Sequence, residues 1–91
     1  MARSAGFYRT RTAADVEVLF IEYPPFFDRD TIYGDYADNR LRFAFLARAA
    51  VEFFRSRGER PSVFHAHDWQ TGLVPVYLKA FYGEDPTLFR M

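Results

Sequence analysis

The sequence contains no cysteine in its 91 residues, which excludes disulfides and thiolate metal sites. Lysine is nearly absent: Lys79 is the single one, and the five glycines are scattered, so there is no glycine-rich phosphate loop. Neither charge sign is in excess, with twelve basic and twelve acidic residues. That balance removes the electrostatic case for nucleic acid or an anionic membrane as partner. No apolar run approaches the roughly 20 residues of a membrane span. Arg3, Arg9 and Arg11 near the N-terminus are not followed by the apolar stretch of a signal peptide. A soluble protein of a reducing compartment is expected, the cytosol by default, or a plastid if the source is a plant.

What the sequence has instead is aromatic mass. Phe, Tyr and Trp make up 20% of it, with eleven Phe and six Tyr. A chain this short buries only about 60–65% of its unfolded surface. So much bulky side chain is expected to find packing partners outside these residues, and the isolated chain is expected to be loosely folded or self-associated.

Residues 1–14 are small, polar and basic, and read as an irregular tail. From Val16 the pattern turns to Val18, Leu19, Phe20 and Ile21, stopped by Pro24 and Pro25. Such a run predicts a strand buried on both faces, as in a parallel sheet. Residues 24–37 hold Phe26, Phe27, Tyr33 and Tyr36 among Pro, Gly and Asp, a loop long enough to suggest function. Asp38 and Asn39 can cap a helix reaching Arg57, with Gly58 as its stop and Pro61 beyond. Its predicted inner stripe is Leu41, Phe45, Ala49 and Glu52, beside Leu46, Ala50 and Phe53. Arg40, Arg48, Arg55 and Arg57 mark its wet side. Ser62 to Ala66 predict a short second strand, and a second helix follows from Gln70–Gly72 to Gly83, with Pro75 tolerable only near its start. Strands alternating with helices imply an α/β fold with a parallel sheet and right-handed crossovers. The order breaks off before such a sheet is complete.

The chemistry concentrates at the end of the second predicted strand, where parallel α/β folds build their sites. Alternation puts His65 and His67 on one side, and Asp68 falls on the turn into the next helix. Asp68 has three readings: a helix cap, a carboxylate for a sugar hydroxyl, or both. Trp69 taken alone is a packing residue. Two histidines two apart can share a metal, as in metal-dependent hydrolases. The sequence has no other histidine, however, so further ligands would have to be Asp68 and groups outside it. The plain alternative is a His65 packed and hydrogen-bonded in the sheet. A non-catalytic α/β interaction module is the other rival.

Three segments, in order, resemble the glycogen and starch synthases of bacteria and plants. They are Phe27-Asp28-Arg29-Asp30-Thr31-Ile32-Tyr33-Gly34, then Asp35 through Phe45 with its Asp38-Asn39 and Arg42-Phe43, then His65-Ala66-His67-Asp68-Trp69-Gln70-Thr71-Gly72 and on to Lys79. The resemblance covers roughly residues 16–82. It implies a retaining glucosyltransferase with two Rossmann-like domains of the GT-B type. Such an enzyme moves glucose from ADP-glucose or UDP-glucose to the non-reducing 4-hydroxyl of an α-1,4-glucan, without cofactor or catalytic metal. By motif, Asp68 matches the family's cleft aspartate and Tyr33 a tyrosine of sugar-nucleotide binding, while His67 and Trp69 flank the aspartate as support. The family's Lys-Thr-Gly-Gly loop and Thr/Val-His-Asn segment are not in this sequence. Residues 15–91 are therefore expected to be a fragment of the N-terminal domain, inactive alone.

Overall fold

The computed structural model describes residues 4–32 and 34–91. They form two compact units, residues 4–36 and 37–91.

The first unit begins with a β-hairpin. Strand β1 (Gly6–Arg11) pairs antiparallel with β2 (Glu17–Glu22), Gly6 opposite Glu22 and Arg11 opposite Glu17. The turn closes through Thr12 N–H to the Val16 carbonyl at 2.8 Å and Asp15 N–H to the Thr12 carbonyl at 2.9 Å. Asp15 takes a left-handed φ of 62°, a conformation that Asp accepts more readily than most residues. The irregular tail expected over residues 1–14 is thus corrected for residues 6–11, which are a strand. The local reason is visible in its charges. Arg9 pairs with Glu17 at 2.6 Å, and Arg11 reaches Asp15 at 3.2 Å. Arg9 and Arg11 of the supposed tail are thus paired with acids of the hairpin.

Strand β2 lies where it is predicted, but its partner is different. An antiparallel neighbour five residues away costs little loop-closure entropy, whereas a parallel neighbour requires a long crossover. Among the described residues the sheet has only these two strands. Phe20 of β2 stays 57% exposed rather than buried on both faces.

Pro24–Phe27 forms a single helical turn, α1, with proline at its first two positions, where missing N–H groups cost nothing. Tyr23 meets the buried Phe26 edge to face at 5.0 Å. The following loop folds around Tyr36. Its hydroxyl accepts the Thr31 N–H at 3.3 Å, and the Arg29 guanidinium lies 4.9 Å from its ring centre. The hydrogen bonds from Thr31 hold the Tyr36 hydroxyl below its ordinary pKa. A Cβ at Gly34 would meet Thr31 Oγ1 and the Tyr36 ring, so a larger residue there would displace these side chains.

In the second unit, α2 (Asn39–Ser56) stops at Gly58. Gly58 takes a φ of 66°, with its N–H to the Arg55 carbonyl at 3.1 Å and the Glu59 N–H to the Phe54 carbonyl at 3.0 Å. This is the paired bonding of a Schellman stop. At the other end, the backbone carbonyl of Asp38 accepts from Leu41 and Arg42 N–H, both at 3.0 Å, and its side chain makes no capping bond.

Apart from Phe53, which is buried as predicted, the helix buries a different face from the predicted one. Phe43, Ala47 and Val51 are inside with Arg42 and Phe53, while Leu41 is exposed. Helix α3 (Leu73–Ala80) packs on it, and Ala47, Val51, Val74, Leu78, Tyr82 and Leu88 make the core. Pro75 falls in the first turn of α3, as its chemistry requires. Tyr82 bridges the elements: its oxygen accepts from Arg48 Nε at 2.8 Å and donates to Glu52 Oε2 at 2.6 Å. Arg48, assigned to the wet side, also lies over the Phe81 ring at 4.5 Å.

No strand forms at residues 62–66. A strand exists only with a hydrogen-bonding neighbour, and the described residues offer none. The alternation survives all the same, since Phe64 and Ala66 pack on the core and Val63 and His65 face outward. Mixed helix and strand content is therefore as expected, while parallel pairing is absent among the described residues.

Candidate functional site

The residues singled out around Asp68 sit at the end of this extended run. Alternation carries His65 and His67 to the exposed side together, their ring centres 4.1 Å apart and their planes inclined by 36°. His65 is not packed into a sheet. Among the described residues no group of three or more His, Asp or Glu side chains is placed to hold a metal.

Asp68 begins a one-turn 3-10 helix, Trp69–Thr71, that leads into α3. The turn is closed by Thr71, whose hydroxyl donates to the His67 carbonyl at 2.6 Å, and by the Gly72 N–H to the Trp69 carbonyl at 3.2 Å. Asp68 does cap, but in an unusual way. Its Oδ1 accepts the N–H of the next residue, Trp69, at 2.8 Å, where ordinary caps reach two or three residues on. Its backbone stands at φ 63°, ψ −174°, a region essentially reserved for glycine and costing of order 1–3 kcal/mol for other residues. The carboxylate is solvent-exposed. With about four lone-pair sites and one of them engaged, it keeps acceptor capacity for hydroxyl donors.

The Trp69 ring rests on α2. It meets Phe43 edge to face, with ring centres 5.1 Å apart, and remains 56% exposed. Phe43 also receives the Arg42 guanidinium, 5.1 Å from its ring centre. Arg42 is 2% exposed, with NH1 donating to Asn39 Oδ1 at 2.7 Å. The structure thus brings His67, Asp68 and Trp69 together and adds Arg42 and Phe43. Those two sit within a segment that already carries the resemblance, but the helix pattern alone gave no reason to turn them inward. Tyr33 lies outside the described residues. Within its own unit, a recess of about 390 Å3 is lined by Ile21, Glu22, Tyr23, Pro24, Phe27 and Asp28.

The family model described as the starch synthase catalytic domain matches residues 2–91. The chain belongs to that family. Among curated relatives, the glycogen synthase of Koribacter versatilis is 48% identical over 75 residues, covering 78% of this chain and 15% of that protein. Glycogen synthase 2 of Geobacter sulfurreducens is 43% identical over 89 residues, covering 93% of this chain and 18% of that protein. The glycogen synthase of Elusimicrobium minutum is 48% identical over 75 residues, covering 78% and 16%. The chain therefore spans 15–18% of the length of these starch synthase family relatives. No solved structure matches it. Among the described residues, no helix is long and apolar enough to cross a membrane.

Proposed function

We propose that the protein carrying this starch synthase segment is a glucosyltransferase of glycogen synthesis, and that residues 15–91 are part of its N-terminal, acceptor-side Rossmann-like domain. The observation that carries this reading is the family match across the whole Asp68 turn, joined to a carboxylate held exposed on a backbone that favours glycine. Conformations of that kind cluster at functional sites.

In this reading the donor is a nucleotide-diphosphate glucose, ADP-glucose or UDP-glucose, and the acceptor is the 4-hydroxyl at the non-reducing end of an α-1,4-glucan. The bond from the glucose C1 to the diphosphate oxygen breaks, a bond from C1 to the acceptor oxygen forms with retained configuration, and the hydroxyl proton leaves with the diphosphate. Positive charge develops at C1 on the way. Asp68 is assigned to accept a sugar hydroxyl and to oppose that charge, an electrostatic contribution largest where water is excluded. Tyr33 contributes to binding the sugar nucleotide, and His67 and Trp69 shape the floor beside Asp68. The diphosphate needs cationic groups facing it, and the one lysine of this chain, Lys79, is on the far turn of α3 from Asp68. Those groups are assigned to the rest of the protein, and the isolated chain is inactive in this reading.

The test is Asp68→Asn in the complete protein, assayed by transfer of labelled glucose to glycogen. Asparagine preserves the hydrogen-bond acceptor and removes the charge. A large loss of kcat with the fold intact supports the assignment, and an unchanged kcat refutes it. Running ADP-glucose and UDP-glucose in parallel ranks the donors by kcat/KM, and repeating the assay in chelator tests the absence of a metal requirement.

A further inference from the structure

A backbone such as that of Asp68 persists only when its surroundings over-determine it. Two of the contacts that do so are internal to the turn, Asp68 Oδ1 to Trp69 N–H and Thr71 Oγ1 to the His67 carbonyl. Neither ties the turn to a rigid element. The ring of Trp69 does, through its edge-to-face contact with Phe43 on α2. The two partners are unequal: Trp69 is 56% exposed, Phe43 only 8%. Phe43 is in turn fixed from its neighbour's side, by the Arg42 guanidinium that Asn39 holds at 2.7 Å. An exposed tryptophan therefore rests on a buried phenylalanine, and the residue immediately before that tryptophan is Asp68.

We propose that Phe43 is a positioning residue for Asp68: it fixes the Trp69 ring, and through it the direction of the neighbouring carboxylate, without touching substrate. The proposal rests on Asp68 being the catalytic carboxylate. Asp68 and Trp69 share a peptide bond, and the Asp68 carboxylate bonds the Trp69 N–H, so a shift of the Trp69 backbone is passed directly to the aspartate. Misplacement by about 1 Å is enough to cost on the order of a hundredfold in rate. Aromatic edge-to-face geometry is directional, so an aliphatic side chain of similar volume fills the space under Trp69 without fixing its angle.

The experiment is a double-mutant cycle on the complete protein, read as kcat for glucose transfer. Phe43→Leu is expected to lower kcat about tenfold, with the donor KM held within about twofold, the pattern of an interaction felt in the transition state. Phe43→Tyr, which keeps the ring, is expected to retain kcat. In an Asp68→Asn background, Phe43→Leu is expected to cost nothing further, because the group it positions has lost its charge. Trp69→Leu removes the same contact from the exposed side without opening the core. It is expected to show the same coupling, which keeps the proposal falsifiable should Phe43→Leu fail to fold. Equal losses from Phe43→Leu or Trp69→Leu in both backgrounds, or no loss in either, overturn the positioning role alone. An Asp68→Asn protein with unchanged kcat removes the catalytic reading and the positioning role with it.

Discussion

Residues 4–36 and 37–91 both leave aromatic side chains exposed, Trp69, Phe81 and Phe89 among them in the second, but they differ in how much apolar surface they bury. In the hairpin unit, Phe7, Tyr8 and Phe20 remain exposed, and Phe26 is its buried hydrophobic residue. In the helical unit, Ala47, Val51 and Leu88 are wholly buried. A hairpin satisfies its backbone hydrogen bonds locally but provides no second layer to cover a face, and alone it is marginally stable at best. Two packed helices satisfy their backbones internally and enclose a core between them. The first unit is thus held by backbone bonds, the Tyr36 loop and surface ion pairs, and the second by apolar burial.

The largest expected stability effect sharpens that contrast. Leu88→Ala empties a fully buried position against α2 and α3 and is expected to cost about 3 kcal/mol. Phe20→Ala, at a 57% exposed strand position, is expected to cost less than about 1 kcal/mol. Denaturant unfolding of both variants checks the difference, and equal costs would show that the hairpin buries its aromatics on something else. Next comes activity. Asp68→Asn, in the helical unit, is expected to lower kcat about a hundredfold, the scale of a lost electrostatic contact in the transition state. The midpoint of unfolding should stay near that of the parent.

Tyr82→Phe removes the hydroxyl that joins Arg48 to Glu52 and is expected to cost about 1 kcal/mol. The same network gives the helical unit a pH dependence. The Arg55 hydrogen bond, helped by Tyr82 and Arg48 and opposed by burial, holds the Glu52 carboxyl below its ordinary 4.5. Its stabilisation is therefore complete above about pH 4.5 and is lost as pH falls through the lowered value. Burial first, then the bond to Glu52, pushes the Tyr82 hydroxyl above 10.0, so its share is present below that pH and lost as pH rises through the raised value. Thermal unfolding of parent and Tyr82→Phe between acid and neutral pH should converge at the acid end.

Tyr33→Ala, in the hairpin unit, is expected to raise the donor KM several-fold with a smaller change in kcat, as for lost uniform binding. An unchanged KM would leave Tyr33 a packing role. The smallest effect is expected at the hairpin surface. Arg9→Ala breaks the 2.6 Å pair with Glu17, whose side chains are both 35% exposed. The cost should be below about 0.5 kcal/mol and should vanish in high salt.

Much of this was readable from local chemistry. Pro24 and Pro25 end β2, Gly58 stops α2, and Pro75 lies in the first turn of α3, because each depends on a residue's own backbone limits. The exposure of His65 and His67 on one side followed from alternation, even with no ladder present. The site was legible as a motif, His67-Asp68-Trp69, but not as a geometry. Nothing in the residue order predicts that Asp68 adopts φ 63° or that its carboxylate bonds the very next N–H.

By itself, then, the sequence determined the punctuation, the charge balance and the family. The tertiary structure alone decided which surfaces face inward. Helix α2 carries apolar residues nearly all around, from Leu41 to Phe54, so its own pattern favours no single face. Packing with α3 selects Ala47 and Val51, roughly the opposite side from the predicted Leu41–Phe45–Ala49 stripe. Arg42 is also buried, and Phe43 meets Trp69. Strand formation at residues 6–11 and its failure at residues 62–66 have one cause. A strand is a property of a pair, and the partner five residues away is present for the first and absent among the described residues for the second.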